Sequence, residues 1–171
     1  MGWLAGSIDW LNAQIGAGVR WLLLALLAVQ FVVVLLRYVF GTSYISLQEG
    51  VIYLHATVLM LGAGYTLLAD GHVRVDVFYA QASPRAKAWV DLLGSLLLLA
   101  PSCLVLLLFT WRSMVRSWAI LEGPMSVGGI PAVFYLKTLL PLFAVLLLLQ
   151  GLSLVLHALV TLTTPTPEAD R

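Results

Sequence analysis

Four stretches of this chain run for twenty positions or more with mostly apolar residues. They lie at about 19–39 (centred on WLLLALLAVQFVVVLLRYVF), 48–69 (QEGVIYLHATVLMLGAGYTLLA), 88–111 (AWVDLLGSLLLLAPSCLVLLLFTW) and 131–160 (PAVFYLKTLLPLFAVLLLLQGLSLVLHALV). A helix crossing the ~30 Å hydrocarbon layer needs about 20 such residues. None of the four alternates with the dyad period of a barrel strand, so each predicts a transmembrane helix. Pro101 and Pro141 remove backbone donors inside the third and fourth runs and predict bends there. The fourth run is long enough to cross at a considerable tilt.

Two shorter segments are amphipathic instead. At about 3–15, Leu4, Ile8, Leu11 and Ile15 recur at helical spacing, while Ser7, Asp9, Asn12 and Gln14 are polar. At about 111–121, Trp111, Met114, Val115 and Trp118 form an apolar stripe, with Arg112, Ser113, Arg116 and Ser117 off it. Both predict helices lying in or emerging through the membrane interface, with Trp at headgroup depth. GPMSVGGIP then breaks the chain before the fourth run, and the tail 163–171, ending TTPTPEADR, predicts disorder. The fold class expected is therefore an all-α integral membrane protein, with four tilted helices in a single domain over 1–171.

Composition supports this. Hydrophobic residues make up 61% of the 171 positions and charged residues 10%, against roughly 25% charged in soluble domains. The mean hydropathy is +1.01. A soluble chain of this length cannot bury that much apolar surface in one core, so the remainder must face lipid. A net charge of +1 argues neither for nucleic acid nor for strong binding to an anionic surface, and the lone Cys103 leaves no internal disulfide framework. The start, MGWLAGSIDW, has no basic n-region, so no removable signal peptide is expected. Four spans put both termini on one side. Arg20, Arg74, Arg85, Lys87 and Arg171 fall on that side, and Arg37, Arg112, Arg116 and Lys137 on the other. The basic pair Arg85 and Lys87 in SPRAK, just before the third span, tips this near-even count toward cytoplasmic termini.

Candidate chemistry is sparse. There is no GxxxxGK[ST] phosphate loop and no nucleophile–base–acid set. His55 and His157 are on the second and fourth spans but near opposite ends, so their depths do not suit a shared haem. Glu49 opens the second span, and the connector GTSYIS is short enough to bring Arg37 near it. An interfacial Arg37–Glu49 ion pair, or a contact surface for a partner, is the expectation. Lys137, one turn into the fourth span, can snorkel outward. Gln30, Asp91, Ser95 and Gln150 should face other helices rather than lipid.

The densest polar group is LADGHVRVDVF, residues 68–78. As a helix it pairs Asp70 with Arg74 and His72 with Asp76 at i,i+4. As an extended segment it places His72, Arg74 and Asp76 on one face and the valines on the other. It predicts a structural junction between spans or a docking surface for another subunit.

Taken together, R-Y-x-F-G at 37–41, Glu49 opening the second span and G-H-V-R-V-D at 71–76 resemble the small, DctQ-like membrane subunit of tripartite ATP-independent periplasmic (TRAP) transporters. PAVFYLKTLLPLFAVLLLLQGL, with Lys137, Pro141 and Gln150-Gly151, fits the same pattern, and the likeness covers roughly 15–160. The resemblance implies a sodium-coupled bacterial importer of organic acids or similar solutes. A periplasmic substrate-binding protein delivers the solute, and a large DctM-like subunit carries the sodium and substrate sites. The small subunit scaffolds that partner among membrane lipids of the inner membrane. It implies no catalysis and no cofactor in this chain. Glu49, His72, Arg74 and Asp76 are the family-matching polar positions; SLQEG departs from relatives that carry an aromatic residue and a second acid beside the Glu. Two other classes compete: a self-sufficient homodimeric exporter, which needs a mid-span acid that this chain lacks, and a haem or quinone anchor.

Overall fold

The computed structural model describes residues 2–71, 82–124 and 126–163, and among them there are helices and no strand. Helix α1 is Gly2–Tyr38, α2 is Ile45–Leu68, α3 is Pro84–Gly94, α4 is Ala100–Ala119 and α5 is Val133–Thr163. Helices α3 and α4 are joined by a π-helical turn, Ser95–Leu99, into one 36-residue rod. Four helical rods are thus long and apolar enough to cross a membrane.

Pro101 accounts for the π turn. A proline at that position can donate nothing to the carbonyl four residues back, and its ring crowds the preceding turn. The helix widens just before it, and the Ala100 N–H reaches back to the Ser95 carbonyl. At the start of α3, Ser83 accepts a hydrogen bond from the Ala86 N–H while Pro84 fills the first turn. Pro141, in contrast, lies inside an α5 that runs through it uninterrupted.

Neither amphipathic segment forms a separate interfacial helix. Residues 3–15 are the first turns of the 37-residue α1, and residues 111–119 are the last turns of α4. Between Gln14 and Trp21 only Gly16 and Gly18 disfavour a helix, and no proline stops it. Along the first turns of α1 the Leu4–Leu11 stripe faces outward: Leu4 is 57% and Leu11 39% exposed. The face of α1 that packs is Ala5, Asn12, Gly16 and Val19. This choice of face follows from the solvent. Lipid accepts leucine as readily as a protein interior does, so close approach by small residues and polar pairing decide which face is inside.

Helix α5 is the centre of the bundle. It touches all the other helices, and 44% of its most apolar window is buried, against 6% for α1. Ala88 and Leu92 of α3 meet Ala158 near its end, while Cys103 of α4 meets Ala144 and Leu147 at its middle. Helix α1 packs on α2 and α5, with Gly16 receiving the Tyr65 ring so closely that any Cβ there would collide with it. Gly16→Leu is therefore expected to lose about 1–3 kcal/mol of stability by overpacking. Gly18→Leu, at an open position on the same helix, should be near neutral. Equal thermal midpoints for the two variants would contradict this packing.

Candidate functional site

The polar side chains that join the helices form two groups, one toward each end of the bundle. At the end holding the start of α1, Asp9 is the hub. Its Oδ1 accepts from Gln150 Nε2 at 2.9 Å and from Ser153 Oγ at 2.6 Å, and its Oδ2 lies 3.0 Å from His157 Nε2. Gln150 Oε1 accepts in turn from Asn12 Nδ2 at 2.8 Å. Asn12, Gln150 and Ser153 are buried to 1% exposure or less, whereas the His157 side chain is 58% exposed. Helical spacing builds the cluster: Asp9 and Asn12 are three apart on α1, and Gln150, Ser153 and His157 fall on one face of α5. Asn12 Oδ1 is the one buried side-chain atom without a hydrogen-bond partner among the described residues. It abuts Gly64 of α2, where any side chain would strike it.

At the opposite end, the connector before α5 is clamped to α2. Glu49 Oε2 accepts the Ile130 N–H at 2.6 Å, and Gly129 lies so close to both carboxylate oxygens that a Cβ would collide with them. Tyr53 Oη donates to the Ile130 carbonyl at 3.4 Å, and its ring stacks on Tyr135 with centroids 6.3 Å apart. Thr57 and the Tyr135 hydroxyl share a hydrogen bond of 2.9 Å. A carboxylate accepting a backbone N–H is among the stronger neutral–charged contacts available.

A latch between α4 and α5 completes this end. Helix α4 closes with the Glu122 N–H bonded to the Ser117 carbonyl and the Leu121 N–H to that of Trp118, with Leu121 at a left-handed φ of 46°. That turn throws the Glu122 side chain back, where Oε2 accepts from Ser117 Oγ at 2.6 Å and Lys137 Nζ at 2.5 Å. These two bonds hold the Glu122 carboxyl below its ordinary pKa, so it is charged at neutral pH. Trp118 Nε1 donates to Thr138 Oγ1 at 2.8 Å, and its ring leans on Phe134.

Four apolar rods joined by polar contacts describe a membrane protein and leave its kind open. The family described as tripartite ATP-independent periplasmic transporters, DctQ component, matches residues 26–161. The chain belongs to the DctQ family. Comparison with curated proteins gives no match, and comparison with solved structures gives none. DctQ membership makes this chain a TRAP transporter small membrane subunit and a multi-pass membrane protein. The match takes in Gln150, Ser153 and His157 but begins after Asp9 and Asn12. The α1 half of the hub therefore lies outside the matched region.

The structure of this DctQ-family chain distributes the sequence candidates unevenly. Glu49 and Lys137 both hold partners, but neither as expected from spacing. Arg37 is exposed at the end of α1 and makes no ion pair with Glu49, which turns away to Ile130. The backbone N–H at Ile130 sits against the α2 start and takes the carboxylate, whereas Arg37, in the last turn of α1, is turned to the surroundings. Lys137 folds onto Glu122 instead of extending outward alone. His72, Arg74 and Asp76 lie outside the described residues. His55 is exposed on α2 while His157 is engaged by Asp9, so the two histidines do not share a site. From sequence, Asp9 and Asn12 read only as polar positions of the first amphipathic segment, and Ser153 and Glu122 carry no assigned role. For Asp9, Asn12 and Ser153 the available signal is a polar residue every three or four positions along one face of a helix.

Proposed function

We propose that this chain is the non-catalytic scaffold of a sodium-coupled TRAP importer of organic acids or similar solutes. It flanks a DctM-like large subunit that holds the sodium and substrate sites. It also helps to dock the periplasmic binding protein at the end that carries residues 39–44 and 120–132. On this reading the chain resides in the bacterial inner membrane with both termini in the cytoplasm.

The observation that carries the reading is the direction in which polarity points. Inside the helices, polar side chains are consumed by one another: Asp9 with Gln150 and Ser153, Thr57 with Tyr135, Asn12 with Gln150. The outward faces are large and apolar, with Leu27 at 67%, Phe31 at 66%, Leu98 at 71% and Phe109 at 80% exposure. Such a body offers flanks for lipid and for another membrane protein. The apolar side chains Phe40, Ile120 and Val127 project at the proposed docking end.

Gentle purification from the native membrane tests this. A larger multi-spanning membrane protein is expected to come with the chain, and solute uptake in proteoliposomes should require both proteins plus the binding protein. Uptake by this chain alone would overturn the assignment.

A further inference from the structure

The second amphipathic segment of the sequence is only partly used by the contacts above. In the structure Phe109, Arg112, Ser113, Arg116 and Ile120 line one face of α4 and its end, and with Glu122 and Lys137 they enclose a groove of about 400 Å³. Lys137 neutralises Glu122. Arg112 and Arg116 are exposed and make no ion pair with any described residue, so the groove keeps two net positive charges. Two guanidinium groups one turn apart repel each other, and nothing within the described chain relieves that.

The depth of the groove says what relieves it. Arg112 directly follows the third apolar run, so the two arginines sit where hydrocarbon gives way to headgroups, at the same level of α4 as the exposed indoles of Trp111 and Trp118. Below them Phe109 is 80% exposed at the apolar edge of the span. An occupant must present an anion to the upper part and an apolar chain to the lower. A phospholipid of net negative charge does both, while an acidic side chain of a partner protein satisfies only the upper part.

We propose that this groove binds the phosphate of an anionic membrane phospholipid, with Arg112 and Arg116 holding the phosphate oxygens and an acyl chain lying along Phe109. Planar guanidinium forks suit two phosphate oxygens at once. Ser113 lines the same groove and offers a further donor. The site is independent of the scaffold role, since it requires only the chain and a membrane.

Native mass spectrometry of the intact complex, or of the full chain as purified, tests this after equilibration with phosphatidylglycerol or phosphatidylcholine. Wild type is expected to retain phosphatidylglycerol preferentially. Each arginine near an anionic surface is worth about fivefold in affinity, so Arg112→Gln/Arg116→Gln should lose the preference by roughly twenty-fivefold if the two act independently. Arg112→Lys/Arg116→Lys should keep most of it, because the charge remains. Unchanged labelling of the buried Cys103 verifies folding of both variants. Retention of the preference in the glutamine variant would overturn the proposal. So would displacement by inorganic phosphate with no dependence on lipid, which would mark a soluble anion as the occupant. A glutamine variant that sheds the binding protein with lipid retention unchanged would also overturn it and assign the groove to a protein acid.

Discussion

Replacing Gln150 by Leu is expected to lower the stability of the chain by about 2–3 kcal/mol, although the volume is nearly conserved. The change removes an acceptor from Asn12 Nδ2 and a donor from Asp9 Oδ1. Interhelical polar contacts in membranes average only ~0.6 kcal/mol and reach about 1.7. Here the substitution also leaves a buried amide and a largely buried carboxylate short of partners, which adds the desolvation penalty of groups left unmade. Cys103 supplies the measurement: it is the one cysteine of the sequence and is 4% exposed between α4 and α5. Its reaction with a thiol-reactive dye during heating reports opening of the bundle, and the midpoint should fall by roughly 5–10 °C. Ser153→Ala removes a single donor to the same carboxylate, so its shift should be clearly smaller. A Gln150→Leu midpoint equal to wild type would mean the network contributes nothing to holding α1 on α5.

The second large effect is local. Glu49→Ala removes the acceptor of the Ile130 N–H and the carboxylate against which Gly129 rests. Hydrogen bonds to charged groups are worth about 1.5–3 kcal/mol. Amide hydrogen exchange at Ile130 should accelerate by roughly thirtyfold, the equivalent of about 2 kcal/mol. Glu49→Gln keeps an acceptor oxygen and should show a milder rise. Arg37→Ala should leave the exchange rate as it is, because Arg37 is not bonded to Glu49. A strong effect of Arg37→Ala would restore the ion pair that the short GTSYIS connector suggests. If the binding protein docks at this end, Glu49→Ala should also reduce solute uptake while leaving the thermal midpoint of the bundle little changed.

These two positions show what can and cannot be read from apolar sequence. Gln150 was legible as a residue that must face a helix, since lipid cannot satisfy a primary amide. Its partners were not, because Asp9 and Asn12 sit on a segment that reads as a helix lying in or emerging through the interface. Glu49 was legible as a functional carboxylate at a helix start. Its partner is a backbone N–H eighty-one positions away, and backbone donors carry no signature in the residue string. Glu122 was invisible for a third reason: it acts through the left-handed turn at Leu121, a conformation that leucine disfavours and no sequence rule would place there.

The sequence by itself determined the environment, the number of spans, their helical character and the family. Each of these depends on summed transfer energies or on residue order, both of which are local. Only the tertiary structure decided which face of each helix is inside, that α5 is the hub and that polar pairs close both ends. In hydrocarbon, burial does not separate one apolar face from another. The choice then falls to close approach at Gly16 and Gly64 and to hydrogen bonds between residues far apart in the chain. Those are properties of the assembled helices, and no single helix carries them.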